Sequence, residues 1–209
     1  MPIDPHRTNI YHITDVSNLP SIIASTGIHS DANMILAGAQ PTVIGYTHIK
    51  ERRMSEYTVP CCGNRFVGEF VPFYYCPRSP MLYTINKGNA GRAAGCQTSV
   101  IHLVSTVGQG MALGRDWAIS DGNAGAAYTE FSNSLAFLDS LDWSVIRSDN
   151  WAKLAHKKQS EFLVADFFPW QAVSHIVCHN EETASQVRLM TVRQAHIPLI
   201  HANRSWYYP

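Results

Sequence analysis

The feature that most constrains this chain is an abrupt change of character at residues 157–165. Lys157, Lys158, Gln159 and Ser160 are polar, and Phe162, Leu163 and Val164 then follow without a polar break. A continuous apolar run bounded in this way reads as a strand covered on both faces. Glu161 stands at the mouth of the run, where an ionised carboxylate costs free energy unless something needs it. A strand holds such a group more rigidly than a loop does. Two readings of this stretch stay open. Glu161 pairs with Lys157 or Lys158 at a strand edge, or it is a functional carboxylate.

The remaining pattern is one of short elements. Ile10–Thr14 alternates and predicts a first strand. Ser17 is placed to cap a helix, with Pro20 in its first turn and Gly27 closing it. Residues 30–46 and 86–97 are Gly-rich loops, and loops of this length inside a domain are usually functional. His48–Tyr57 is a charged helix. Phe70–Tyr75 is an aromatic strand, with Pro72 marking an edge or bulge. A turn at 77–81 leads into a short helix. Thr98–Val107 is the clearest long strand, Trp117–Ser120 a short one, and Asn133–Leu141 a helix. A polar stretch, 142–160, delivers Glu161, and Ser174–Cys178 and Ile197–Ile200 are the last strands. Strands and helices mixed without regular alternation predict an α+β fold. With no repeat or linker, residues 1–209 read as one domain.

Several classes are excluded. No start resembles a signal peptide, and no apolar run can span a bilayer, which predicts a cytoplasmic protein with no membrane partner. Five cysteines without framework spacing read as reduced thiols. Ten scattered histidines without H-E-x-x-H predict no metal. There is no G-x-G-x-x-G and no Walker A pattern, so a nucleotide must be held some other way. No second carboxylate lies close to Glu161 in sequence as in a glycosidase pair, and no G-x-S-x-G is present.

Three further features carry chemistry. His12 lies in the alternating strand, where it is either a satisfied half-buried side chain or a partner for a ribose hydroxyl. Lys50-Glu51-Arg52-Arg53 is either a solvated helix face or, since adjacent arginines cannot share one face, a pair with one member toward solvent and the other toward a cleft. From Lys50 to Arg92 there are seven Lys or Arg and three Glu, a local charge of +4 in a neutral chain. Phe73, Tyr74, Tyr75 and Tyr83 are interleaved with these cations. That mixture suits single-stranded nucleic acid, or it is a core with a solvated flank.

The chain resembles the DarT family of DNA ADP-ribosyltransferases, toxins of a bacterial toxin–antitoxin system. The resemblance rests on Ile10-Tyr-His-Ile-Thr14, Asn18-Leu19, His48-Ile-Lys-Glu-Arg-Arg53, Ile101-His-Leu-Val-Ser105 and Lys158-Gln-Ser-Glu-Phe-Leu-Val164. The most specific match is Val71-Pro-Phe-Tyr-Tyr-Cys-Pro-Arg-Ser-Pro-Met-Leu-Tyr83. It implies a compact ADP-ribosyltransferase fold, two small twisted sheets around an NAD cleft flanked by short helices. The implied activity is transfer of ADP-ribose from NAD, as co-substrate, to a base in single-stranded DNA, commonly thymidine. By position, His12, Ile13, Thr14, Ser21, His29 and Arg53 contact NAD. Glu161 and Arg53 are catalytic, and residues from about Ser120 to Glu161 form the substrate-recognition region. Arg52, Arg78, Met81 and Arg92 contact DNA. The implied partner is a cognate macrodomain antitoxin, and the expected state is a monomer. The family account makes Arg53 a proton acceptor. A guanidinium stays protonated, so stabilising the deprotonated base is the physically easier role. Rival readings are the same fold acting on guanine or RNA, and a DNA-independent NAD glycohydrolase.

Overall fold

The computed structural model describes residues 2–39, 41–42, 47–89 and 93–209, and it places the apolar run inside a sheet. The strands are β1 (Asn9–Asp15), β2 (Gly27–His29), β3 (Thr58–Val59), β4 (Arg65–Phe66), β5 (Phe70–Tyr74), β6 (Val100–Thr106), β7 (Trp117–Ser120), β8 (Phe131–Ser132), β9 (Glu161–Ala165), β10 (Phe167–Pro169), β11 (His175–Cys178) and β12 (Leu199–Ala202). The helices are α1 (Leu19–Ala24), α2 (Asp31–Leu36), α3 (Thr47–Ser55), α4 (Pro80–Asn86), α5 (Val107–Met111), α6 (Ala136–Ser140), α7 (Trp143–Arg147), α8 (Ala155–Lys158) and α9 (Glu181–Thr191). Eight strands join in the order β12-β11-β6-β1-β5-β9-β7-β8, while β2 pairs with β10 and β3 with β4. Within the large sheet only β11 and β12 run parallel.

The unbroken apolar character of β9 follows from two cores. Phe162 and Val164 pack with Val71, Phe73 and Ile119. Leu163 and Ala165 pack with Val59, Val67, Phe70 and Ala118. Successive strand residues point to opposite faces, so both must be apolar. Full burial of each large side chain contributes about 1.5–3 kcal/mol.

The two expected sheets are present as halves of one. β12-β11-β6-β1 and β5-β9-β7-β8 meet between β1 and β5, whose register contains the single pair Tyr11↔Tyr74. The reason lies in the next rung. The Pro72 carbonyl accepts a hydrogen bond from His12 Nδ1 at 2.9 Å, so the Pro72 main chain is turned toward β1. The neighbouring pair would be Ile13 and Pro72, two residues on in each strand. Proline has no N–H to give, and its carbonyl already accepts from the His12 ring. The ladder stops there and the half-sheets splay apart.

Several local expectations are corrected. Ser17 is no helix cap: the Asp15 carboxylate accepts from the Ser17 N–H and hydroxyl, at 3.0 and 2.8 Å. The Ser17 hydroxyl is thus a donor to that carboxylate, and Asn18 is the residue that precedes α1. Gly27 does not close α1 but opens β2, after Thr26 has made the turn at φ 63°. α9 was not anticipated. Asn180 caps it by accepting from the Thr183 N–H, Glu181 and Glu182 occupy its first turn, and Ala184, Val187 and Thr191 are its buried stripe.

Candidate active site

Glu161 is the first residue of β9, opposite Tyr74 of β5. Its N–H donates to Ser120 Oγ at 3.0 Å, and that hydroxyl donates to the Gly122 carbonyl at 2.7 Å. The end of β7 is thereby tied to the start of β9. The Glu161 carboxylate is 1 % exposed and fully engaged. Oε1 accepts from the Ala124 N–H at 3.0 Å and from Arg53 Nη1 at 3.3 Å, and Oε2 accepts from Arg53 Nη2 at 2.9 Å.

This overturns the pairing of Glu161 with a neighbouring lysine. Lys157 approaches Asp142 at 3.6 Å. Lys158 is buried and donates to the carbonyls of Ile146 and Ser148. A planar guanidinium fork matches a carboxylate in a way an ammonium cannot.

The two arginines of α3 divide as their spacing requires. Arg52 points out, bonded to Glu56 at 2.7 Å and stacked on the Tyr57 ring. The Arg53 side chain is 12 % exposed. Burial works against its charge, but the Glu161 carboxylate outweighs burial by charge and by hydrogen bonds. The Arg53 pKa therefore lies above the ordinary value. Such a group is a cation and a donor, not a base.

Arg53 also lines a cavity of about 190 Å³ where the half-sheets splay. His12, Ile13, Thr14, Ser21 and His29, from β1, α1 and β2, line the same cavity, as do Lys50, Tyr74 and Met81. Six expected cofactor residues thus surround one space. His12 is neutral here: burial lowers its pKa and only partly yields to the Pro72 carbonyl. Because a carbonyl only accepts, Nδ1 carries the proton and Nε2 is left as an acceptor. Lys50 is tied to Asp31 at 2.8 Å. Burial and then the Glu161 charge raise the Tyr74 pKa, so Tyr74 remains a phenol. Glu161 does not line the cavity, because Arg53 lies between them. Apolar walls at Ile22, Ile28, Met34 and Phe70, with two cations and neutral acceptors, suit a molecule carrying aromatic rings and phosphates.

The expected DNA contacts separate. Met81 borders this cavity and Arg52 is on the surface, whereas Arg78 borders a different cavity and pairs with Asp149 at 3.0 Å. Arg92 falls outside the described residues. The +4 segment is not a bare basic surface. Lys50, Arg52, Arg53, Arg65 and Arg78 are each paired with a carboxylate, four of these five drawing on acids beyond the segment. Phe73 and Tyr75 are core residues. Sequence reasoning did not single out the Ala124 N–H or Ser120. Asp121-Gly122, a turn-forming dipeptide, is the one local signal near them. Among the described residues no group of His, Cys, Asp and Glu could hold a metal ion.

Residues 11–208 match the family described as ssDNA thymidine ADP-ribosyltransferase, DarT. A DNA ADP-ribosyl transferase of Thermus aquaticus is 35 % identical over 98 % of this chain and 90 % of its own length. The solved structure of Thermus sp. 2.9 DarT in complex with ADP-ribosylated ssDNA superposes with a TM-score of 0.90 at 31 % identity, covering 100 % of this chain and 99 % of that one. The same Thermus protein in complex with NAD+ gives a TM-score of 0.85 at 29 % identity over 100 % of both chains. A DNA ADP-ribosyl transferase–DNA ADP-ribosyl glycohydrolase fusion protein of Thermosipho africanus is 26 % identical over 98 % of this chain, which spans 51 % of the fusion. The sequence match over nearly the whole length and the shared fold agree, and this chain belongs to the DarT family.

Proposed function

We infer that this chain transfers ADP-ribose from NAD to thymidine in single-stranded DNA, releasing nicotinamide. The observation that carries the reading is the Arg53–Glu161 pair set behind a cavity lined by His12, Ile13, Thr14, Ser21 and His29. NAD supplies the ADP-ribosyl group, with nicotinamide as the leaving group. His12 offers a neutral acceptor to a ribose hydroxyl, and the edge of β1 orients the nucleotide. Glu161 supplies a fixed negative charge to a sugar that becomes positive as the glycosidic bond breaks, a preorganised electrostatic role. The Ala124 N–H holds that carboxylate, and the Ser120 hydroxyl holds the main chain that carries it. Arg53 separates Glu161 from the cavity, so it shifts as substrates bind. Its donors are then available to the thymine ring nitrogen, whose proton is released to solvent as its bond to the ribose carbon forms and the bond to nicotinamide breaks, or to a phosphate.

In this reading Arg52, Arg78, Met81 and Arg92 contact DNA, residues from about Ser120 to Glu161 select the base, and residues 1–209 act as one domain. The chain is further read as the toxin of a toxin–antitoxin pair, a cytoplasmic monomer whose partner is a macrodomain protein that removes the mark. Support for that partner is the Thermosipho africanus fusion, whose name joins a transferase to a DNA ADP-ribosyl glycohydrolase. No helix among the described residues is long and apolar enough to cross a membrane.

The test is incubation with NAD and a pool of single-stranded oligonucleotides, followed by mass spectrometry of the digested nucleosides. ADP-ribosylated thymidine is the expected product. Modified guanosine, modified RNA, or free ADP-ribose formed regardless of DNA would each replace the reading.

A further inference from the structure

The turn that leads into α4 is held by its carbonyls. The Pro77 carbonyl accepts from His102 Nε2 at 2.9 Å, and the Arg78 carbonyl accepts from the Tyr208 hydroxyl at 2.9 Å. The Ser79 carbonyl lies 3.3 Å from the same hydroxyl, and it also accepts the Tyr83 N–H, in the first turn of α4, at 3.1 Å. A surface turn normally leaves such carbonyls to water. Here ring donors from two distant segments take them. His102 belongs to β6, and Tyr208 lies 129 residues beyond Ser79 in the chain.

Tyr208 is itself clamped. Its N–H donates to Gln97 Oε1 at 3.0 Å, and its carbonyl accepts from Gln97 Nε2 at 2.7 Å and from Arg204 Nη1 at 2.8 Å. Gln97 is buried, so the clamp is anchored in the interior. The Tyr208 ring meets the Tyr83 ring edge-on, with centroids 5.2 Å apart. Burial raises the Tyr208 pKa, so its hydroxyl stays a donor. α4 has seven residues, too few to fix its place by its own hydrogen bonds. Its second residue is Met81, which lines the cleft.

We propose that Tyr208 is a positioning residue for the acceptor base: its hydroxyl, through the Arg78 and Ser79 carbonyls, sets where the start of α4 places Met81 in the cleft. Tyr208 does not line the cleft and acts only through that turn. The inference rests on the reading of Met81 as a contact to the acceptor strand. A hydroxyl that served stability alone would leave Met81 in place when removed.

The test is Y208F, which keeps the ring and removes the hydroxyl, in the full chain. The first measurement needs no substrate. It is the NMR spectrum of protein labelled with carbon-13 at the methionine methyls, with Met81 assigned by M81L. The Met81 signal should shift in Y208F, while Met111 and Met190, packed on the main core, keep theirs. The second is steady-state transfer to one oligonucleotide at saturating NAD. The oligonucleotide KM should rise roughly fivefold to tenfold, the scale of one hydrogen bond, with kcat little changed. NAD affinity without DNA should be unchanged. V187A, in the buried stripe of α9, controls for lost stability alone and should move neither readout. In an M81A background Y208F should raise KM no further. An unmoved Met81 signal in folded Y208F would overturn the proposal, as would an unchanged oligonucleotide KM or additive losses in the double variant. Failure of wild type to modify any oligonucleotide would sink the transferase reading, whereas the methyl spectra still decide whether Tyr208 sets Met81.

Discussion

Arg53 Nη2 and Glu161 Oε2 lie 2.9 Å apart, with Nη1 and Oε1 at 3.3 Å, so the guanidinium and carboxylate meet face to face from α3 and β9. The pair joins elements 108 residues apart in sequence and closes the inner end of the cleft. Glu161 keeps Arg53 charged, and each member has its own consequence when removed.

Glu161→Gln leaves the size of the side chain and removes its charge. Arg53 then stays buried without an anion, a situation that costs roughly 3–5 kcal/mol when one partner of a buried pair is lost. We expect a folded protein of clearly reduced stability, with transfer down at least about a hundredfold. Denaturant unfolding and single-turnover modification at saturating NAD measure the two effects separately. Transfer near the wild-type rate in the folded variant would remove Glu161 from the mechanism.

Arg52 and Arg53 carry the same charge one residue apart, so long-range attraction for DNA is nearly equal for both. Only Arg53 touches Glu161 and lines the cleft. Arg53→Ala should abolish base modification, and Arg53→Lys should rescue little because an ammonium cannot replace the two-pronged contact. Arg52→Ala should mainly weaken DNA binding. The comparison is single-turnover modification of one oligonucleotide at saturating NAD and DNA. Full activity of Arg53→Lys would show that charge alone suffices there.

A side chain at Gly122 finds room only if the His156 imidazole moves. A Cβ built there would lie 2.0 Å from His156 Nε2, and the Gly122 carbonyl is the acceptor for the Ser120 hydroxyl that receives the Glu161 N–H. Gly122→Ala should push the imidazole aside and loosen the loop whose Ala124 N–H holds Glu161. The outcome expected is a lower rate constant for transfer with NAD affinity retained. Equal losses in both would mean that the loop shapes the nucleotide cleft instead.

Stability should depend on pH through buried imidazoles. His102 is 0 % exposed and its pKa is lowered to about 4, because burial disfavours its charged form more than the Pro77 and Val177 carbonyls favour it. His12 is lowered for the same reason. The unfolded chain takes up a proton on each near pH 6.5, while folded His102 does so only near 4. Between those values the unfolded state holds more protons, so stability falls as pH falls. From pH 6.5 to 5 the loss from His102 alone should be roughly 2 kcal/mol. Urea unfolding at several pH values measures the slope. His102→Gln should flatten it by about one proton, whatever it does to stability at neutral pH.

What was legible in the sequence was what local pattern controls. β1, β5, β6 and β9 announced themselves by alternation or by apolar runs. That Arg52 and Arg53 cannot share one face followed from helix geometry, and which of them enters the cleft came from the family resemblance. What was not legible depends on partners far along the chain. The +4 segment is matched by Asp31, Asp149, Glu161 and Asp166, which no count within the segment could reveal. The eight-stranded sheet arises because one rung joins two halves, and cross-strand register between distant segments is set by tertiary packing. α9 could have been found. Asn180 before two glutamates, with buried residues at 184, 187 and 191, is a helix start with a helical stripe.

Pro72 and His12 also bear on how such a cleft can exist at all. Beyond Tyr11 and Tyr74, β1 and β5 are two bare strand edges facing each other inside one molecule. Facing edges on separate molecules tend to zip together, and proteins guard exposed edges with prolines and inward-facing polar side chains. Here the same guards stand in the interior: a proline without a donor, and an imidazole bonded to its carbonyl. In those terms the cleft is an aggregation event that the chain prevents against itself, and a residue with a free N–H at position 72 would let it proceed.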